Sequence, residues 1–236
     1  LNSNRMANNL TPADIIRIKK EISDILKDHA SVSPSRTDRL MPINGLQGKL
    51  YEARVLAEIC EKLHSQEGLQ LRLINSTRPM LKQKGGPIDR SYPHFQVYEG
   101  AKLKFELFTD VYFKTISSTL KGRGRPAIRA DYHELDIALV RPGSTNIPFF
   151  LDVVLAVECK NTKLHKNIIR EVLGFRRELS FYDKPHWTHF TSWPIAQVNA
   201  RPPSVHLFYC TDSAVLEFKE NCEQFGTILE HLKMQP

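Results

Sequence analysis

The stretch LDIALVRPGSTNIPFFLDVVLAVECKNTK, Leu135 to Lys163, decides the reading of this chain. It holds one acid on an apolar strand, a turn at Arg141-Pro142-Gly143, and a second apolar strand that ends in Glu158-Cys159-Lys160. Charges inside sheet-forming segments are costly unless they are paired or hold a metal ion. Side chains two apart on a strand share a face. Glu158 and Lys160 are therefore expected to point one way, beside Ala156. Asp136 and Ala138 are expected on one face of the earlier strand, and Leu135, Ile137 and Leu139 on the other. If the strands are neighbours, two carboxylates and an ammonium meet where the other lining residues are alanines, which leaves room for a ligand. Two carboxylates suit a hard cation such as Mg²⁺. Beside Lys160, such an ion polarises a phosphate and offsets developing charge, as phosphodiester hydrolysis requires.

The flanking segments predict a mixed sheet with helices on its faces. Thr11-Pro12 followed by Asp14 opens a helix, and Ile15, Ile18, Ile22 and Ile25 carry its apolar spacing to Lys27. A polar linker follows, and the N-terminal helix and linker, 1–44, are set apart from a main domain, 45–236. LQGKLYEARVLAEICEKLHSQ predicts a second helix ended by Gly68. Residues 69–76, FQVYEG, LKFELFTDVYFKTISST and VHLFYCTD read as strands. NIIREVLGFRREL is an amphipathic helix. SAVLEFKENCEQFGTILEHLK is expected to close the chain as another, with Val215, Phe218, Cys222, Phe225, Leu229 and Leu232 on one side. On the second helix Glu52 sits three, four and seven positions before Val55, Leu56 and Ile59. That places it on the face that packs against the sheet, where it reaches the same cleft, unless it is an exposed glutamate paired with Lys49 or Arg54.

The chain carries 33 Lys and Arg against 26 Asp and Glu, a formal charge of +7, which attracts polyanions. STLKGRGRPAIR gathers Lys121, Arg123, Arg125 and Arg129 around two glycines, and RPMLKQKGGPIDR gathers Arg78, Lys82, Lys84 and Arg90. Such loops either follow a phosphate backbone or are charged hairpin tips. Lys163, Lys166, Arg170 and Arg177 lie on or before the helix after the motif, and Arg170 and Arg177, seven apart, share a face that meets DNA or solvent. The four cysteines have no CxxC or zinc-ligand spacing and read as reduced core residues of a cytoplasmic protein. No apolar run spans a bilayer and no signal-peptide apolar region opens the chain, so no membrane partner is expected. Asp152, roughly 20 Å along the strand from Glu158, reads as a turn residue. His133 either touches a phosphate or ends its loop, and His186 and His189 lack a third ligand and read as packing residues.

Asp136, followed 22 positions later by Glu158-Cys159-Lys160, resembles the core of the PD-(D/E)XK nuclease superfamily. The context agrees over roughly Gly48 to Asp212: ELDIALV, VVLAVECK, an amphipathic helix after the motif, and GKLYEA with Glu52 before it. Leu135, not proline, precedes Asp136, a departure from the pattern. The resemblance implies a restriction-endonuclease-like α/β fold and a metal-dependent DNA endonuclease. By carry-over, Asp136 and Glu158 bind Mg²⁺, or Mn²⁺ in its place, with the Cys159 carbonyl as a further ligand. Lys160 holds the water and the scissile phosphate, and Glu52 assists. Lys121, Arg123, Arg125, Arg129, Lys163 and Arg170 are the candidate DNA contacts. Double-stranded DNA and a homodimer are the implied partners, since each protomer has one site, and restriction or phage defence is the implied setting. The alternative is a non-catalytic nucleic-acid-binding or assembly protein on the same fold.

Overall fold

The computed structural model describes residues 10–41, 47–76, 78, 80–81, 84–120 and 126–234. Helix α1 (Pro12–Ala30) opens with the expected cap: the Thr11 hydroxyl accepts from Asp14 N–H at 3.2 Å, and the Asp14 carboxylate accepts from Thr11 N–H at 3.0 Å. It runs one turn beyond the expected end at Lys27. The segment read as a polar linker contains a short helix α2 (Pro34–Leu40), started by Pro34 at its first position, with Leu40 buried. Helix α3 (Gln47–Ser65) lies where the second helix was expected. Ile18, Ile22 and Leu26 of α1 join Leu56 and Ile59 of α3 in one core, so the N-terminal helix shares the apolar interior of the main sheet. Each such fully buried aliphatic side chain contributes about 1.5–3 kcal/mol.

The sheet has seven strands: β1 (Gln70–Ile74), β2 (His94–Glu99), β3 (Lys102–Lys114), β4 (Tyr132–Val140), β5 (Val153–Lys160), β8 (Val205–Cys210) and β9 (Thr227–His231), in the order β1-β2-β3-β4-β5-β8-β9. Pairing is antiparallel from β1 to β5 and parallel from β5 to β9. Helix α5 (Lys166–Leu179) makes the crossover from β5 towards β8, as parallel neighbours require. A short helix α4 (Ile116–Leu120) follows β3 where strand was expected to continue. A separate hairpin, β6 (Phe181–Trp187) with β7 (Gln197–Arg201), follows α5. Leu139, Leu155, Val157 and Leu207 pack against the α1/α3 side, and Ala138 and Ala156 pack with Phe175 and Leu179 of α5. The fold is mixed α/β, with a large mixed sheet between helices. Among the described residues no helix is long and apolar enough to cross a membrane. All four cysteines are free and buried.

The expected closing helix is not formed. Residues Ser213–Phe218 make a 3-10 turn, α6 spans only Lys219–Glu223, and β9 follows. Gly226 stops the helix at φ 70° and turns Thr227, Ile228 and Leu229 into the sheet beside β8. The apolar stripe is split accordingly: Val215, Cys222 and Leu229 are buried and Phe225 is exposed. The junction is held by the buried Arg176 of α5. Its Nε donates to Phe225 O at 2.7 Å and its Nη2 to Ser204 O at 2.8 Å. Burial pushes its pKa down to about 9. A Cβ at position 226 would stand 2.6 Å from Arg176 Nη2. Gly226→Ala is therefore expected to lower stability by roughly 1–3 kcal/mol, seen as a lower urea midpoint at unchanged slope. An unchanged midpoint would mean that the backbone and Arg176 adjust freely.

Candidate functional site

The β4–β5 ladder runs from Val140↔Val153 to Ile137↔Val157 and stops. Beyond that point the two strands part. β5 continues beside β8 as far as Lys160↔Cys210, and β4 stays beside β3 back to Tyr132↔Lys114. At the fork, the Asp136 carboxylate takes a backbone donor: Cys159 N–H donates to its Oδ2 at 2.7 Å. The β4–β5 pairing thus ends beside Asp136, and Glu158 and Lys160 follow on β5 beyond its last rung.

A second acid lies opposite. The register pairs Thr109 with Ile137 and Val111 with Leu135, so Asp110 of β3 faces Asp136 across the ladder. Asp110 is fully buried and adopts φ 53°, a left-handed backbone that non-glycine residues seldom hold without cause. This conformation rephases the strand. Phe108 precedes it and Val111 and Phe113 follow it, yet all three pack in the cluster that includes Ala138. The expected alternation on β4 fails at the same level. Leu135 joins that cluster with Ala138 and Ala156, while Ile137 and Leu139 pack on the α1/α3 side. Leu135 does not share a face with Ile137, because the left-handed residue beside it shifts the pleat.

Helix α3 brings its first turns to this place. Lys49 Nζ lies 2.6 Å from both Glu52 Oε2 and Asp110 Oδ1. Glu52 thus does reach inward, and it also pairs with Lys49, so both sequence readings of it hold in part. Arg54 turns away to Glu21 at 2.7 Å. Burial pushes Glu52 up to about 7 against the pull of the Lys49 ammonium, and the charges of Asp110 and Glu158 add to the rise. Burial also opposes the Lys49 charge, but Asp110 and Glu52 hold that ammonium firmly protonated.

Asp136 is the most perturbed acid of the group. Burial raises its pKa, Glu158 and Glu52 raise it further, and the Cys159 N–H and Lys160 offset only part. Among the described residues it forms no ion pair. Glu158 forms an ion pair with Lys160, two positions along the same strand, as the shared face predicts. Burial works against the Lys160 ammonium, and Glu158 and Asp136 outweigh it and raise its pKa. The Cys159 side chain is buried in the core with Tyr51, where burial pushes the thiol well up. What Cys159 brings to the site in this structure is its backbone N–H.

Among the described residues no three His, Cys, Asp or Glu side chains form a ready-made metal cage. Arg129, Lys163 and Arg170 are exposed and make no ion pair among those residues. Lys121, Arg123 and Arg125 lie outside the described residues, as does Lys82 of the second basic loop. That loop continues at Gly86, which bridges to Val111 and covers the β3 edge where β2 has ended. Its Arg90 is held by Glu106 at 2.7 Å. His133 packs on Phe175 with ring centroids 5.1 Å apart. Asp152 caps its turn by accepting from Phe149 N–H. His186 and His189 go to separate partners, Asp183 and Arg141.

Two residues at the site escaped the sequence reading. Lys49 was weighed only as a surface partner for Glu52. Asp110 carries, in FELFTDVYF, the same signature that exposed Asp136: one acid inside an apolar, aromatic strand. No family model, curated protein or solved structure matches the chain.

The Asp136 shift fixes a pH dependence. A raised folded pKa favours the folded state below the ordinary carboxylate range, and that advantage is lost as pH rises through the folded value. Asn at position 136 does not titrate and still accepts from Cys159 N–H. In metal-free buffer Asp136→Asn is expected to gain stability over the wild type between pH 5 and pH 8, read by urea unfolding at each pH. The opposite trend would show that Asp136 is stabilised as an anion. Lys49→Met removes the ammonium between two inward carboxylates and is expected to cost roughly 2–4 kcal/mol in the same assay.

Proposed function

We propose that this chain is a divalent-metal-dependent nuclease of the PD-(D/E)XK type, with a restriction-endonuclease-like fold, that hydrolyses phosphodiester bonds in DNA. One observation carries the reading: at the β4–β5 fork, Asp136 stands in the sheet with no ion pair among the described residues, next to Glu158 and Lys160. The donor set fits a hard cation. A half-buried carboxylate whose charge is disfavoured by two neighbouring acids is relieved by Mg²⁺ or Mn²⁺, and oxygen donors are what those ions take. Asp136 and Glu158 would hold the ion, with the Cys159 carbonyl a candidate third donor. When bound, the ion supplies charge neutralisation at the phosphate and lowers the pKa of a water.

The chain's own residues supply the rest. Lys160 would hold a phosphate oxygen and offset the charge that builds on the phosphate. Glu52 sits across the cleft as a proton acceptor for a water, oriented by Lys49. Arg129, Lys163 and Arg170, with the Lys121, Arg123 and Arg125 loop, steer the DNA backbone and position it without reading sequence. Double-stranded DNA cut by a homodimer, in restriction or phage defence, is the setting this chemistry fits.

The direct test is cleavage of plasmid and linear duplex DNA with Mg²⁺, with Mn²⁺ and with EDTA. Lys160→Ala and Asp136→Asn are expected to lose at least a thousandfold in rate, on the scale of a lost electrostatic partner, while DNA binding survives. Mg²⁺ is expected to raise the wild-type melting temperature and not that of Asp136→Asn. Wild-type rates in either variant would remove these residues from the site. Metal-independent binding with no cleavage by the wild type would assign the chain to the non-catalytic alternative.

A further inference from the structure

The most exposed aromatic rings of the described surface do not belong to the cleft. Tyr182 is 69% and Trp187 72% exposed on β6, Phe181 stands beside Tyr182, and Phe225 leans on Tyr182 with ring centroids 5.7 Å apart. Phe181, Tyr182 and Phe225 border a cavity of about 190 Å³ at the C-terminal end of α5, which Leu173 and Arg177 also line; Trp187 stands further along β6, on the other face of the hairpin. Exposed rings clustered in this way mark a contact surface rather than random surface composition.

Three cations, Arg177, Lys184 and Arg201, stand around the rings with two acids, Asp183 and Glu178. Arg177, Lys184 and Arg201 form no ion pair among the described residues. The nearby acids are occupied: Asp183 accepts from Lys184 N–H at 2.8 Å and lies 2.9 Å from His186 Nε2, and Glu178 accepts from Ser117 N–H at 3.0 Å. Free cations interleaved with exposed rings match a polyanion that also carries flat faces. Pairing with a second copy through the open edge of β6 is opposed by Pro185, which has no N–H to donate, and by Lys184 beside it.

We propose that the β6–β7 hairpin and the end of α5 form a stacking platform for unpaired nucleic-acid bases, with Arg177, Lys184 and Arg201 on the phosphates. Bases stack on such rings with little regard for sequence. The platform lies at the far end of α5, a helix roughly 20 Å long, from the cleft. A single strand leaving the cleft covers that length in roughly six nucleotides. The proposal deepens the nuclease reading by naming an unpaired strand as the form engaged, but binding in EDTA needs no cleavage, so the two fail separately.

The chain provides its own reporter. Of its two tryptophans, Trp187 is 72% exposed and Trp193 only 6%, so quenching on binding reports Trp187. Titration of the full chain with a 20-nucleotide oligothymidine in EDTA is expected to quench this fluorescence. With a labelled oligonucleotide, Trp187→Ala and Tyr182→Ala are each expected to weaken binding roughly ten- to hundredfold. Arg177→Ala with Lys184→Ala is expected to reduce the salt slope by roughly one to two. Absence of quenching, with affinity unchanged in both ring variants, would overturn the proposal. So would a concentration-dependent dimer, seen by sedimentation, that both ring variants dissolve, since the rings would then serve a second copy of the chain.

Discussion

The fork between β4 and β5 depends on one hydrogen bond, from Cys159 N–H to the carboxylate of Asp136. Along a regular ladder that amide would find a backbone carbonyl. Here a side chain takes the role, and the next strand is free to leave. A buried backbone donor has to be satisfied, and a carboxylate can do so while presenting a second oxygen elsewhere. The same group therefore closes the sheet on one side and faces Glu158 and Lys160 on the other. The left-handed Asp110 on the neighbouring strand has a parallel part, since it shifts the pleat so that Leu135 and Val111 keep their apolar environment while two acids occupy the middle of the sheet.

Like charges gathered in this way repel, and the structure answers with two ammonium groups from different directions. Lys160 comes from the same strand as Glu158, and Lys49 comes from α3 and bridges Glu52 to Asp110. Burial raises Glu52 and Asp136 in spite of them, so the cluster favours either protons or a cation. On the metal-dependent reading proposed above, affinity for a divalent ion rises with pH, as protons leave the same oxygens.

Much of this was legible in the residues. The two-residue period of VVLAVECK put Glu158 and Lys160 on one face, and the helical period of GKLYEARVLAEI aimed Glu52 at the sheet. Thr11, Pro12 and Asp14 opened α1 where the cap chemistry required. The rest was hidden for physical reasons. Strand alternation presumes an unbroken pleat, and Asp110 breaks it through a backbone angle that its side chain does not disclose. The terminal apolar stripe fitted a helix because Val215, Cys222 and Leu229 are all buried, but they are buried in a 3-10 turn, a short helix and a strand in turn. Only Gly226, inside that stripe, marked the change. Exposure is not encoded by period either: DKPHWTHFTSWPIAQVNARPP could be read as a source of dimer contacts or sequence readout, but nothing in it marks Trp187 as exposed and Trp193 as buried.

The strand that carries Glu158 and Lys160 has four strands on one side of it and two on the other. Its parallel partner is about fifty residues away in the chain, as Leu155↔Val205 illustrates. A segment so placed has no inexpensive local opening, since freeing it divides the core. The carboxylate and ammonium at its end are thus held by the full cooperativity of the domain, to which the hairpin beyond α5 also contributes through the buried Val198 and Ala200 of β7.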